Sequence, residues 1–348
     1  MPSASDEVRA AIDAAGGAIR FDEFVQIALY GEHGFYATTG RAGRRGDFIT
    51  SPEVGPLFGA VLARWIDSEH RRLGEPEDFS IIECGAGSGA LARAVLAVEP
   101  RWRNRYTAVE ISDPQREQHP EGVLSLSGLP SMPVGIGVVI ANELLDNLPF
   151  RLAVFDGGWR EAMVCVERHG ELVESTVASD PAWTFLPVAA SHGARVPIQE
   201  QASAWVTSAQ RLLHQGTVIV FDYCTARTVE LVGQPWRNWL RTYRSHERGG
   251  HYLREPGGQD ITAQVCLDQL PARWTFETQR EFLQRWGIDD LVEEGRSAWA
   301  AAAARPDLAA LTMRSRVREA EALLEPTGLG LFGAISWRLG SAEIAPGS

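Results

Sequence analysis

One stretch decides the fold of this chain: FSIIECGAGSGALARAVLAV, residues 79–98. Its first part, residues 80–84, is a short and mostly apolar run that is typical of a buried strand. Alternate glycines in residues 85–89 then indicate a turn, and the alanine- and leucine-rich residues 90–98 favour a helix. The stretch therefore predicts a strand–loop–helix unit, the building block of an α/β domain.

Three further apolar runs predict strands that lie beside the first one. They cover residues 106–111, 136–141 and 217–222, and each contains several β-branched residues, as strands buried on both faces do. Strands that alternate with helices form a doubly wound, mostly parallel sheet. Residues 331–338 are expected to close this sheet as an edge strand, through Phe332, Ala334, Ile335 and Trp337. The expected fold class is therefore α/β and Rossmann-like, with an inserted second lobe.

The segments between these strands set the expected division of the chain. Residues 151–215 and 225–271 are more polar and less periodic, so we expect them to form an inserted second lobe beside the sheet. Residues 1–78 are expected to form an N-terminal helical and lid segment, in which Thr50-Ser51-Pro52-Glu53 starts a helix that continues to about Gly74. The expected core consists of residues 79–150, 216–224 and 272–340.

The composition excludes several kinds of chemistry. All 33 Lys+Arg residues are arginine, so enzymes that need a lysine amine, such as Schiff-base enzymes and Walker A nucleotidases, are ruled out. The 45 acidic residues give a formal net charge of −12, which argues against nucleic acid as a partner. No segment approaches the ~20 apolar residues that span a bilayer, so no membrane partner is expected.

The four cysteines indicate a reducing environment. Cys84, Cys165, Cys224 and Cys266 lie far apart, and no pair has the close spacing of a zinc site or a redox motif. We therefore expect reduced thiols, no metal site and a cytoplasmic protein.

The glycine loop by itself leaves two cofactors open. A glycine turn before a helix offers free backbone N–H groups, and Glu110 follows about 20 residues on, as in dinucleotide-binding folds. NAD and S-adenosylmethionine both fit this pattern. Carboxylates at Glu83 and in the cluster of Asn142, Glu143 and Asp146 favour the second, because they attract a cationic sulfonium and repel a pyrophosphate.

The chain also resembles the MidA-like class I methyltransferases, the family of the mitochondrial complex I assembly-factor arginine methyltransferase. The similarity extends from about residue 24 to about residue 338. At Ala86, Cys224 and Cys266 the chain departs from the Pro, Gly and Asp that are usual in the family. The blocks that carry the resemblance, in the order of the family, are ALYGEHGFY (28–36), GDFITSPE (46–53), ECGAGSG (83–89), ANELLDNLP (141–149), FDY (221–223), PGGQDITA (256–263) and TQREFL (278–283).

The resemblance implies an S-adenosylmethionine-dependent methyltransferase with protein arginine as its acceptor. No oligomeric state is predicted. Two alternatives stay open: a small-molecule O- or N-methyltransferase, and a cofactor-binding assembly chaperone without catalytic activity. The expected cofactor contacts are Gly85, Gly87 and Gly89 at the methionine part, Glu83 at its ammonium, Glu110 at both ribose hydroxyls, Ile111 at adenine, and Asp47, Thr50 and Ser51 in a closing lid.

The expected acceptor site lies after the strand 136–141. Asn142 and Glu143 follow this strand at the edge where α/β sheets bind ligands, so they should face the methyl group. Glu143 and Asp146 are expected to hold an arginine guanidinium through charge-assisted hydrogen bonds. A hydroxyl acceptor would instead need a general base. The candidates for that base are His33, His246 and His251.

Overall fold

The computed structural model describes residues 2–38, 50–244, 247–305 and 307–340. Within these residues no helix is long and apolar enough to cross a membrane. The α-helices of this part of the chain are α1 (Ala4–Ala14), α2 (Phe21–Tyr30), α3 (Phe35–Thr38), α4 (Ser51–Val54), α5 (Pro56–Arg72), α6 (Ala90–Val98), α7 (Asp113–Arg116), α8 (Glu200–Arg211), α9 (Val229–Val232), α10 (Gln279–Arg285), α11 (Ile288–Ala302) and α12 (Leu308–Leu323). The strands are β1 (Ala18–Arg20), β2 (Ser80–Cys84), β3 (Tyr106–Val109), β4 (Leu124–Leu126), β5 (Gly135–Asn142), β6 (Arg151–Phe155), β7 (Trp159–Val166), β8 (Leu172–Ala178), β9 (Arg195–Ile198), β10 (Leu213–Asp222), β11 (Cys224–Thr225), β12 (Leu240–Arg244), β13 (Glu247–Arg248), β14 (Asp260–Ala263), β15 (Val265–Cys266), β16 (Thr275–Thr278) and β17 (Gly333–Leu339).

The central sheet confirms the predicted fold class. Its strands in the described residues follow the order β16–β17–β10–β5–β2–β3–β4. The neighbours from β10 to β4 all run parallel. Among the paired strands of this sheet in the described residues, only β17 runs in the opposite direction. It is antiparallel to both β10 and β16. The chain is therefore an α/β protein with a mostly parallel sheet, and the four predicted strands correspond to β2, β3, β5 and β10.

Strand β17 differs from its prediction. The sequence favoured an edge strand here, but β17 pairs with β10 on one side and β16 on the other. Ala334 and Ile335, on opposite faces of β17, are both at most 3% exposed, so the first half of the strand is buried on both faces, whereas Arg338 near its end is exposed. A strand buried on both faces shows little apolar–polar alternation, and its position in the sheet therefore cannot be inferred from periodicity.

The helix expected from residue 50 to residue 74 is two helices. α4 ends at Val54, and α5 begins at Pro56. Between them Gly55 is extended, with φ 163° and ψ −177°. A proline disfavours helical backbone in the residue before it, which explains the interruption. The carboxylate of Glu319 accepts a hydrogen bond from the Leu57 N–H at 2.9 Å and so satisfies the start of α5.

A second, antiparallel sheet lies outside the central one and consists of β1 and β6 to β9. Helices α1 and α2 share its apolar core, so much of the N-terminal segment packs on this sheet. Helix α8, which belongs to the polar stretch 151–215, packs on the central sheet instead through Ala202, Val206 and Ala209. The course of the chain therefore crosses between the two sheets several times.

Candidate active site

A cavity of about 350 Å³ lies at the carboxyl end of the parallel strands. Cys84 at the end of β2, Val109 at the end of β3 and Asn142 at the end of β5 all line its wall. The strands β3 and β5 flank β2 in the sheet, although β5 comes later in the chain. This is the position where open α/β sheets bind ligands.

The glycine loop forms one wall of the cavity. Gly85, Gly87 and Gly89 have φ values of 67°, 53° and 81°, a backbone region that favours glycine. The Gly87 N–H donates to Oε2 of Glu110 at 2.9 Å, and the Ser112 N–H donates to Oε1 of the same side chain at 2.9 Å. The carboxylate of Glu110 is therefore fixed beside the loop, at the edge of the cavity.

Glu83 is the buried acid of this wall. Its side chain is 4% exposed, and the Tyr106 hydroxyl donates to its Oε2 at 2.8 Å. Burial raises the pKa of Glu83 to about 8, despite that hydrogen bond. A positive group beside it would favour the carboxylate form. This residue therefore fits the ammonium group of an amino-acid cofactor.

Apolar side chains complete the same end of the cavity. Ile111 is 56% exposed and lines the cavity, as do Leu129 and Trp205. Such surfaces suit a flat, uncharged ring, and Ile111 was expected to flank adenine. Leu129 and Trp205 were not predicted, because they come from the segment after β4 and from α8, far from the glycine loop in sequence.

Glu143 forms the part of the cavity wall that continues from β5. It follows β5 with a φ of 49°, a conformation that is uncommon for a residue other than glycine. Its N–H donates to the Phe221 carbonyl at 2.8 Å, which holds this backbone in place. Oε1 of Glu143 accepts from Nδ2 of Asn142 at 3.0 Å and from the Ser51 N–H at 3.4 Å. The acid therefore joins the end of β5 to the start of α4.

Four carboxyl groups lie close together behind this wall: Glu143, Asp146, Asp222 and Asp260. Burial, and then repulsion from Asp222, raise the pKa of Glu143 to about 8 and the pKa of Asp146 well above its ordinary value. Burial raises the pKa of Asp222 to about 7, although the N–H groups of Leu145 and Asp146 donate to its Oδ2. The group thus retains protons near neutral pH, and a bound cation would stabilise its ionised form.

Two buried oxygen atoms in this region have no hydrogen-bond donor among the described residues. They are Oδ1 of Asn142 and Oδ1 of Asp146. An unsatisfied buried acceptor costs roughly 1–3 kcal/mol, and Asn142 lines the cavity, so its Oδ1 suits a ligand that brings an N–H group.

A pair of aromatic rings closes this end of the cavity. Tyr30 and Tyr36, from α2 and α3, line the cavity and stack with ring centroids 5.4 Å apart and an interplanar angle of 22°. The Tyr30 hydroxyl donates to the Asn147 carbonyl at 3.2 Å, and the Tyr36 hydroxyl donates to Oδ1 of Asp260 at 3.1 Å. Sequence reasoning gave these tyrosines no role, although both lie in the block ALYGEHGFY.

The predicted site residues do not all reach the cavity. Ser51 is buried and donates its hydroxyl to Oε1 of Gln279 at 2.9 Å. Gly89 caps α6, and Asp146 lies behind Glu143, so none of these three lines the cavity. Asp47 lies outside the described residues. The predicted residues that do line it are Thr50, Glu83, Gly85, Gly87, Glu110, Ile111, Asn142 and Glu143.

The candidate bases lie elsewhere. His33 and His251 do not line the cavity, and burial lowers the pKa of His251. His246 is outside the described residues.

Cys224 and Cys266, which depart from the family pattern, do not line the cavity. In the described part of the chain, no three His, Cys, Asp or Glu side chains are grouped as metal ligands.

The parallel sheet, the glycine loop with its following acid, and the acid-lined cavity together define the class: a Rossmann-like methyltransferase that uses S-adenosylmethionine. The chain belongs to the family described as "Putative S-adenosyl-L-methionine-dependent methyltransferase", whose model matches residues 61–284. This match confirms the family resemblance, the enzyme class and the cofactor.

Known relatives agree with this membership. A Drosophila melanogaster protein, named protein arginine methyltransferase NDUFAF7 homolog, mitochondrial, is 30% identical over 197 residues, which cover 47% of this chain and only 45% of that protein. Protein arginine methyltransferase NDUFAF7 of Danio rerio is 25% identical over 80% of this chain and 75% of its own length. A solved structure from Burkholderia thailandensis, a "likely methyl transferase" bound to S-adenosylhomocysteine, is 27% identical and has a TM-score of 0.82, covering 97% of this chain and 92% of that one.

The expected cytoplasmic location is wrong on this comparison. The relatives from Drosophila melanogaster, Danio rerio and Xenopus tropicalis are all named mitochondrial. The inference had rested on unpaired, widely spaced cysteines, and these indicate a reducing environment without saying which compartment provides it.

Proposed function

We propose that this methyltransferase transfers a methyl group to a guanidinium nitrogen of arginine in a protein. The three relatives named above support the acceptor, since all are named protein arginine methyltransferases. The observation that carries the proposal is the donor-free Oδ1 of Asn142, a residue that lines the cavity beside the buried carboxyl group of Glu143. A guanidinium group has five N–H donors in a planar fork and a permanent positive charge, so it can donate to this oxygen and pair with the carboxylate.

At the cofactor end, each proposed role follows from the position of the side chain. S-adenosylmethionine supplies a methyl group on a positively charged sulfur. Glu83 would pair with the ammonium group and give up its proton on binding, because its carboxyl is buried and otherwise partly protonated. Glu110 would accept the ribose hydroxyls with the oxygen lone pairs that Gly87 and Ser112 leave free. The main chain at Gly85 allows close approach to the methionine part.

At the acceptor end, Glu143 is the proposed catalytic residue. Its carboxylate would hold two nitrogens of the guanidinium and leave the third directed at the methyl carbon. Oδ1 of Asn142 would accept a further N–H. When the third nitrogen gains the methyl group, the guanidinium must lose one proton. Glu143, ionised by the bound cation, can take that proton from a nitrogen that it holds, because its pKa is raised by burial. Asp146, which lies behind Glu143, would not contact the guanidinium. It would make the electrostatic potential at the acceptor site more negative.

The lid and lobe assignments are part of the proposal. Thr50 and Ser51 would position α4 over the cavity, because the Ser51 N–H donates to Glu143 and its hydroxyl to Gln279. Asp47 keeps its proposed part in the lid. Gly89, which does not line the cavity, would act only through the loop backbone at the start of α6. Residues 151–215 and 225–271 are proposed to bind the rest of the acceptor protein, together with the N-terminal helices that pack on the second sheet.

The test is methyl transfer to a lysate. Purified protein and methyl-labelled S-adenosylmethionine are added to lysate from a strain that lacks this gene, and labelled protein is hydrolysed in acid. We expect a labelled protein band that yields methylarginine, and no label with Gly87→Val. Label on small molecules only, label on a residue other than arginine, or no transfer by protein that binds cofactor would each reject the proposed acceptor.

A further inference from the structure

The acid cluster of Glu143, Asp146, Asp222 and Asp260 explains why a cation is attracted to the acceptor end. It does not explain which cation is accepted. Lysine and arginine side chains are both positive, and carboxylates attract both. The two differ in shape, because a guanidinium is flat, delocalised and weakly hydrated, whereas an ammonium is compact and strongly hydrated. Discrimination therefore needs a flat surface as well as negative charge.

The Tyr30–Tyr36 pair supplies such a surface. Both rings line the cavity together with Asn142 and Glu143. Arginines of this chain lie over other aromatic rings, as Arg241 does over Tyr223 at 5.2 Å and Arg237 over Trp236 at 4.2 Å. Within the described residues, no arginine lies over the ring of either tyrosine of the pair. A cation in the cavity would therefore meet these rings without competition from an arginine in the described part of the chain.

The hydroxyl groups hold these rings in place. The Tyr36 hydroxyl shares Oδ1 of Asp260 with Nδ2 of Asn147 at 3.0 Å and with the Ile261 N–H at 2.9 Å. Burial, and then the charge of Asp260, raise the phenol pKa of both tyrosines well above its ordinary value. The phenols therefore stay neutral, and their rings offer π faces at a fixed position.

We infer that the Tyr30–Tyr36 pair makes the acceptor end selective for a guanidinium over an ammonium ion. This inference rests on the proposed function, since it presumes that the acid cluster receives the acceptor. A desolvated cation–π contact changes affinity by up to roughly thirtyfold, so the pair should set the preference for arginine over lysine.

The experiment measures that preference directly. The probes are Nα-acetylarginine amide and Nα-acetyllysine amide, titrated by ligand-observed NMR into protein saturated with S-adenosylhomocysteine. We expect the wild-type protein to bind the arginine probe at least about tenfold more tightly. Tyr30→Leu and Tyr36→Leu should reduce this ratio to about threefold or less, whereas Tyr36→Phe, which keeps the ring, should retain most of it.

Trp299→Leu is the matched control. It removes an aromatic ring under Arg314 that lies outside both the cavity and the proposed acceptor-binding lobe, so the ratio should not change. Thermal melting and S-adenosylhomocysteine affinity show that each variant is folded. If a leucine variant does not fold, the wild-type protein still gives an answer, because ring currents should shift the side-chain methylene protons of the bound arginine probe upfield.

Two different results separate the two proposals. Folded leucine variants that keep the wild-type ratio, or an arginine probe without ring-current shifts, would overturn the role of the tyrosine pair while leaving arginine methylation intact. Lysate labelling without methylarginine would overturn the proposed function itself.

Discussion

The two ends of the cavity are built in different ways. The cofactor end consists largely of one continuous stretch, residues 83–87, with Glu110 directly after the next strand. The acceptor end is assembled from four distant parts of the chain: Tyr30 and Tyr36, residues 142–147, Asp222, and Asp260. A local motif thus fixes one ligand, whereas tertiary packing creates the site for the other. Changes at one end should therefore leave the other end working.

The largest effect is expected from Gly87→Val. Gly87 has a φ of 53°, and a Cβ atom there would lie 3.2 Å from Oε1 of Gln115, on the cavity wall. A branched side chain would strain this backbone and fill the space that the cofactor needs. Calorimetry should show no measurable binding of S-adenosylhomocysteine.

The matched control for that change is Gly157→Val. Gly157 also has positive φ, 68°, but a Cβ there would meet nothing within 4 Å. It should lower the melting temperature and keep wild-type binding. Wild-type affinity in folded Gly87→Val protein would show that the loop does not hold the cofactor.

A smaller effect is expected from Glu110→Gln. Both oxygens of Glu110 accept backbone N–H groups, from Gly87 and Ser112, and an amide can accept only on its oxygen. Losing one charged hydrogen bond should weaken S-adenosylhomocysteine binding roughly tenfold to a hundredfold. The same titration with exposed Glu117→Gln should give the wild-type value, and equal affinities in the two variants would remove Glu110 from the cofactor site.

A further prediction concerns folding stability and not ligand affinity: the pH dependence of stability in the ligand-free protein. The pKa values of Glu83 and Glu143 are raised to about 8, so the folded state keeps protons that the unfolded chain loses above its ordinary carboxyl pKa. Stability should therefore fall as pH rises from about 5 to about 8, by up to about 1.4 kcal/mol per pH unit for each group that titrates.

Urea unfolding at a series of pH values measures this slope. Glu143→Gln removes one of the titrating groups and should give a shallower decline than the wild-type protein. A stability that rises with pH across this window would contradict the raised pKa of these buried acids.

Much of the cofactor end could be predicted from the sequence. Strand β2 and the glycine loop are adjacent in the chain, so local rules predict both the turn and the acids beside it. Glu83, Gly85, Gly87, Glu110 and Ile111 all line the cavity for that reason. Leu129 and Trp205 could not be predicted, because only the folded sheet brings α8 and the segment after β4 to the same place.

The acceptor end could be predicted only in part. Asn142 and Glu143 follow an apolar strand, and this pattern places them at the sheet edge. Asp146 was expected beside Glu143, but the short helix Leu145–Asn147 turns it behind the wall, where its N–H bonds to Asp222. The tyrosine pair depends on how α2 and α3 pack against β14, a contact that no local pattern contains.

Single-turnover methyl transfer by Glu143→Gln, measured together with S-adenosylhomocysteine affinity, tests most directly whether the two ends act separately. The acceptor is the protein labelled in lysate, and the comparison is the wild-type enzyme. We predict affinity within about threefold of wild type and transfer reduced by roughly 10²–10⁴-fold, the usual cost of losing a catalytic proton acceptor. Transfer at a near wild-type rate, or a parallel loss of cofactor affinity, would contradict this account.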